Sequence, residues 1–163
     1  MAKNSDTFTL TKLGDREFVM TRLFDAPREL VWDAWTKPEH IARWWGCNES
    51  KVTSCEIDLQ PGGKWRNVLQ MPDGSECGFQ GVYLEIDAPK RLVHTFIFEP
   101  MPQHEALITV VFEERDGKTL MTETTRHNST EERNGHFASG IEHGSRQSLD
   151  SLEEYVASLA LTA

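Results

Sequence analysis

The side chain best suited to chemistry in this chain is His94, in the run RLVHTFIFE from Arg91 to Glu99. Alternation puts Leu92, His94, Phe96 and Phe98 on one face of a strand, so the imidazole stands in an apolar row. A neutral imidazole there can position a ligand or exchange a proton near neutral pH; a hydrogen-bonded core histidine is the plainer alternative. Arg126 ends the run TLMTETTR. Its charge suits an anionic ligand or a carboxylate such as Glu123 or Glu85, and a surface ion pair is the competing use. Glu56 and Asp58 stand two apart in KVTSCEIDL, on one strand face, where paired carboxylates serve either acid–base work or a solvated surface.

Other chemistries lack their residues. His127, His136 and His143 are spaced so that only the last two can share a helix face, and no third ligand joins them, so no metal site is implied. Cys47, Cys55 and Cys77 are odd in number and form no C-x-x-C, which points to reduced, partly buried thiols. No Ser/His/Asp nucleophile motif, G-x-G-x-x-G, P-loop or H-E-x-x-H occurs, and no cofactor is expected. A formal charge of −9 with no basic stripe argues against nucleic acid. No apolar run approaches the roughly 18 residues of a membrane span. The opening MAKNSDTFTLTKLGD has no signal-peptide apolar region, so the expected location is the cytoplasm, with no membrane partner.

The elements that would position these side chains follow from period and punctuation. REFVMTRLF, Arg16 to Phe24, alternates as a strand. Asp25 can cap the next element and Pro27 suits a first helical turn, after which Leu30, Val31, Ala34 and Trp35 share a face. TKP breaks that helix, and Pro38 opens a second, short one carrying Ile41, Trp44 and Trp45, which Gly46 ends. From Lys51 to Arg126 six alternating runs are separated by QPGG, PDGSE, DAPK, PMPQHE and RDGK, short turns that favour an antiparallel meander. The tail is amphipathic, with Ile141, Ser145, Leu149, Leu152, Val156 and Leu159 on one stripe, and predicts one long helix from about Asn134 to Leu161. The expected fold class is α+β, a curved antiparallel sheet of six to seven strands wrapped around that helix, in a single domain spanning 1–163 with a core from about 17 to 160.

FDAPRELVWDAWTKPEHIARWW, PGGKWR, PDGSE, GVYLEIDAPKRLVHTFIF and GIEHGSRQSLDSLEEY, in this order, resemble the START/Bet v 1-like (SRPBCC) proteins. More closely they resemble the bacterial branch named after the C-terminal domain of the activator of heat-shock protein 90 ATPase. The resemblance covers Glu17 to Val156 and implies the helix-grip fold. It implies function only broadly, since such families include small-molecule binders, cyclases, sequestering proteins and a co-chaperone domain. Ser145 stands where many relatives carry a Trp after the Gly.

In that architecture the sheet and the last helix would enclose a pocket. Its expected lining starts with Trp44, Trp65, Phe79 and Tyr83 and continues through His94, Phe96 and Phe98 on one strand. Ile108, Val110 and Phe112 follow on the next strand, then Thr122, Thr124 and Arg126, with Ile141, Ser145 and Leu149 from the helix. Trp35 is expected to anchor the bent helix pair, Trp44 and Trp45 to stand at the cavity mouth, and Trp32 to be half exposed. Two half-covered tryptophans, Trp32 and Trp45, make a homodimer the expected assembly. The expected function is binding of a small hydrophobic or aromatic molecule. A cyclase- or hydrolase-type enzyme using the same pocket and a co-chaperone-like interaction module are the alternatives.

Overall fold

The computed structural model describes residues 7–46 and 49–162; Cys47 lies outside them. Its element order is β1 (Thr9–Leu13), β2 (Glu17–Phe24), α1 (Arg28–Thr36), α2 (Pro38–Trp44), β3 (Lys51–Ile57) and β4 (Lys64–Gln70). Then come β5 (Glu76–Asp87), β6 (Arg91–Phe98), β7 (Ala106–Arg115), β8 (Lys118–Arg126), α3 (Thr130–Phe137) and α4 (Ile141–Thr162). The strands form one sheet in the order β1-β2-β8-β7-β6-β5-β4-β3, every neighbouring pair antiparallel. This is a helix-grip fold, with eight strands rather than six or seven.

The additional strand is β1. Its TLTKL is an edge strand with only Leu10 and Leu13 to mark it, and its side chains are mostly exposed, so no buried stripe signals it. The second correction concerns the tail. The single helix expected from Asn134 is two, because Gly140 adopts φ +89°, a left-handed conformation that ends α3 and restarts the chain as α4. The start of α3 is set by Ser129, whose Oγ accepts from the Glu132 amide at 3.1 Å. STEE is thus a legible cap.

α1 is capped by Pro27, whose carbonyl accepts from Leu30 and Val31, while Asp25 pairs with Lys118 at 3.3 Å instead of capping. The α1–α2 pair carries the chain from β2, near one edge of the sheet, to β3 at the other. It therefore crosses the concave face, and α4 lies beside it, packing its backbone chiefly against α1 and α2. Side chains close the remaining gap at one end. Leu149, Leu152 and Val156 of α4 are buried with Phe24, Val110, Phe112 and Met121 of the strands. There the buried guanidinium of Arg22 on β2 meets Asp150 at 2.7 Å and Glu153 at 2.5 Å on α4. Among the described residues, no helix is long and apolar enough to cross a membrane.

Candidate functional site

At the other end the gap between sheet and helices stays open. A cavity of about 420 Å³ lies there, walled by β4, β5 and β6 and roofed by α1, α2 and the first turns of α4. The roof residues from α4 include Gly144, Ser145 and Ser148, whose small side chains leave the space unfilled. Ser148 Oγ donates to the Trp44 carbonyl at 3.2 Å, fixing α4 against α2 at that spacing. The cavity opens beside the α3–α4 turn, where the lining residues Ser139 and Gly140 are exposed.

The aromatic wall is built by contacts between strands. Trp65 on β4 lies across β5, and its Nε1 donates to the Thr95 carbonyl on β6 at 3.3 Å. Gly81 makes this possible, since a Cβ there would sit 2.0 Å from the Thr95 carbonyl oxygen and 2.6 Å from Trp65 Nε1. His94 stands edge-on to Trp65 at 5.4 Å and to Tyr83 at 5.9 Å. Phe96 and Phe79 continue the row, 5.7 Å apart. On the roof Trp44 is buried, held by Nε1 donating to the Ala34 carbonyl at 2.8 Å. Trp35 meets Trp44 at 5.0 Å and Phe112 at 5.5 Å, and so ties the helix pair to β7. Trp45 is half-buried, edge-on to Phe79 at 5.1 Å.

Of the lining expected from sequence, Trp44, Trp65, Phe79, Tyr83, His94 and Phe96 meet around this cavity, joined by Ile108, Ile141, Ser145 and Leu149. The others lie elsewhere. Phe98 packs tilted against Phe79 at 5.2 Å, beyond the wall. Val110 and Phe112 do face inward, but into the filled core beneath α1 and α4. Thr122, Thr124 and Arg126 sit on the opposite face, because β8 runs in the other phase. Its register pairs Met20 with Glu123 and Phe18 with Thr125, turning Met121, Glu123 and Thr125 inward. Leu120 and Met121 are adjacent apolar residues, so the pattern of TLMTETTR suits either phase. Trp32 is 6% exposed rather than half exposed, edge-on to Phe112 at 6.0 Å, which removes it from the case for a homodimer.

The polar groups of the wall are few. His94 Nδ1 lies 2.9 Å from the Thr95 carbonyl, which can only accept, so Nδ1 carries the proton and Nε2 keeps its lone pair. Burial pulls this imidazole down to about 4, against the opposing effect of that hydrogen bond. Glu123 is pushed up to about 7 by burial alone. His136, on α3, lies 3.0 Å from His127 and face-on to Phe96; burial, and then His127, pull it down to about 4. Burial also raises the Tyr83 phenol. The Asn67 side-chain oxygen is buried without a hydrogen-bond partner. As cavity residues Glu123, His136 and Asn67 escaped the sequence reading, which considered Glu123 only as a partner for Arg126 and His136 only as a metal ligand. For Asn67 the alternation Trp65, Asn67, Leu69 was a usable signal; for Glu123 the phase ambiguity hid it.

The remaining candidates are dispersed. Glu56 and Asp58 are exposed, and no hydrogen bond joins them. His143 is exposed on α4, apart from the His127–His136 contact. Among the described residues no group of His, Cys, Asp and Glu is arranged to hold a metal ion. Cys55 is raised to about 11 by burial, then by Glu39 and Glu56, so it is a poor nucleophile.

Solved structures of the same shape are numerous. A protein from Nitrosomonas europaea is 25% identical, with TM-score 0.81 over 92% of this chain and 99% of its own. One from Staphylococcus epidermidis is 27% identical, with TM-score 0.80 over 91% and 93%. One from Rhodobacter sphaeroides, 23% identical with TM-score 0.86 over 93% and 99%, supports the fold alone. No curated protein matches the sequence. The model of one family, Activator of Hsp90 ATPase homolog 1-like protein, matches residues 25–157, from just after β2 through most of α4, and so covers every lining residue of the cavity except Met20. The chain belongs to that family.

Proposed function

We propose that the chain, acting as a single domain in the cytoplasm, binds a small, largely apolar, ring-containing molecule between the sheet and α4. The observation that carries this reading is the unfilled space of about 420 Å³ bounded by aromatic rings, beside the packed core under α1 and α4. Pockets of a few hundred Å³ with apolar walls and a few convergent polar groups suit drug-sized ligands. Ring walls add about 0.5–1.5 kcal/mol per aromatic pair beyond area burial. His94 Nε2 is the polar handle, and losing it weakens a ligand that donates to it by about 1–3 kcal/mol.

The test is native mass spectrometry of the purified protein, followed by tryptophan fluorescence titration with bicyclic aromatics. A retained mass or saturable quenching is expected, and both should disappear in Ser145→Phe, which fills the space from α4. Failure of every compound to perturb the emission, with no retained mass, would refute ligand binding. A surface interaction of the co-chaperone kind would then be favoured.

A further inference from the structure

We infer that the cavity selects an amine, a hydrophobic molecule carrying one protonated nitrogen that the Glu123 carboxylate receives. This rests on the cavity being a binding site, and it adds the ligand's chemical class. Glu123 projects from the middle of β8 between Met20 on β2 and Val110 on β7, into the cavity. Among the described residues it has no hydrogen-bond or ion-pair partner. Its carboxyl is half-buried and faces the apolar-walled cavity with no protein donor, so a ligand that brings a donor would satisfy it.

Among the described residues, no lysine or arginine lines the space. The nearest guanidinium along the concave face of β2, Arg22, is taken by Asp150 and Glu153 of α4. The other ionisable groups facing Glu123 across the cavity are His94 from β6, His136 from α3 and Tyr83 from β5; the lining residues of α1, α2 and α4 carry none. Both histidines are held neutral at pH 7 by burial. His94 moreover offers an acceptor, since its Nδ1 proton is engaged by Thr95. The polar wall is therefore acceptor-rich and free of fixed positive charge, and its aromatic faces attract cations as well. A carboxylate ligand would find no positive partner and would meet Glu123. An ammonium group would find a charge-assisted hydrogen bond between apolar walls. The chain's formal charge of −9 favours the approach of cations.

The experiment is isothermal titration calorimetry of the whole protein with three matched probes, naphthylmethylamine, naphthylmethanol and naphthoic acid, at about pH 8. The amine should bind at least about tenfold more tightly than the alcohol, which is roughly one charge-assisted hydrogen bond. The acid should bind most weakly, and Glu123→Gln should remove the amine's advantage. A second measurement needs no variant: with Glu123 at about 7, amine binding at pH 7 should release about half a proton, read from the dependence of the heat on buffer ionisation. If the alcohol binds and the amine has no advantage, if that advantage survives in Glu123→Gln, or if no proton is released, the inference falls while the cavity reading stands. If none of the three binds, both fall.

Discussion

Replacing Arg22 by Met should unclasp α4 from the sheet. The guanidinium is 0% exposed and meets two carboxylates on α4, Asp150 at 2.7 Å and Glu153 at 2.5 Å. Removing one member of a buried ion pair typically costs about 3–5 kcal/mol, mostly by stranding the other charge. The two carboxylates left behind differ in exposure. Asp150 is 41% exposed and can turn to water, whereas Glu153 is 12% exposed and, though it keeps a further interaction of its own, loses its short contact with the guanidinium. The Asp150 share is therefore discounted to the surface value, under about 1 kcal/mol. Arg22 Nε also finds no acceptor, so the native clasp is itself imperfect. Together these place Arg22→Met at about 3 kcal/mol, or a fall in Tm of about 9 °C for a chain of this length. Asp150→Asn should cost less than about 1 kcal/mol. The double variant Arg22→Met, Glu153→Leu should recover most of the loss, because an apolar pair of similar volume can match a buried ion pair. Urea and thermal unfolding followed by circular dichroism measure all three. An Arg22→Met loss below about 1 kcal/mol, or a double variant no better than the single, would refute the assignment of the clasp to the Arg22–Glu153 pair.

Two further perturbations read other parts of the molecule. Gly81→Ala puts a methyl within clash distance of the Thr95 carbonyl and the Trp65 indole. It should destabilise by about 2 kcal/mol or more and shift the tryptophan emission, whereas Gly74→Ala, at a turn with open space around it, should leave the emission unchanged. The pH dependence of stability has two opposing contributions. His94 and His136, held at about 4 in the fold, bind protons more readily when unfolded, so their contribution is lost as pH falls from about 6.5 toward 4. Glu123, held at about 7, binds its proton more readily in the fold, so its contribution is lost as pH rises from about 4.5 through 7. Glu123→Gln should therefore raise stability at about pH 8 by up to about 3 kcal/mol and steepen the acid loss. A variant less stable than the parent at that pH, by urea titration, would contradict the half-buried, unpartnered state of this carboxyl.

The parts of the fold legible in the sequence are those where a side-chain period had a buried face to write it. The bent α1–α2 pair, the six strands from Lys51 to Arg126 and the α4 stripe all carry such a face. β1 does not, being an exposed edge, and it was unreadable for that reason. The break before α4 turns on one backbone angle at Gly140, which a run of moderate helix formers on both sides conceals. In the cavity, His94, Phe96, Trp65 and Tyr83 were readable from alternation because their strands have one clearly apolar face. The β8 residues were not, since threonines occupy both faces and Leu120 competes with Met121 for the inward phase. Nor could alternation tell that Val110 and Phe112 meet packed side chains while Ile108 meets open space. That distinction depends on which turn of α4 passes overhead.

The two halves of α4 answer to different demands. Its first two turns border the cavity, chiefly with the small Gly144, Ser145 and Ser148, Leu149 touches both cavity and core, and beyond it the helix enters the packed core beside Arg22. Changes in volume before Leu149 alter what the protein can hold, and changes after it alter whether the protein folds. Along one continuous helix, ligand preference can thus drift in evolution while the folding determinants stay fixed. Tolerance to substitution should change abruptly within a single turn, so lineages sharing this shape can diverge in what they bind without rebuilding the scaffold.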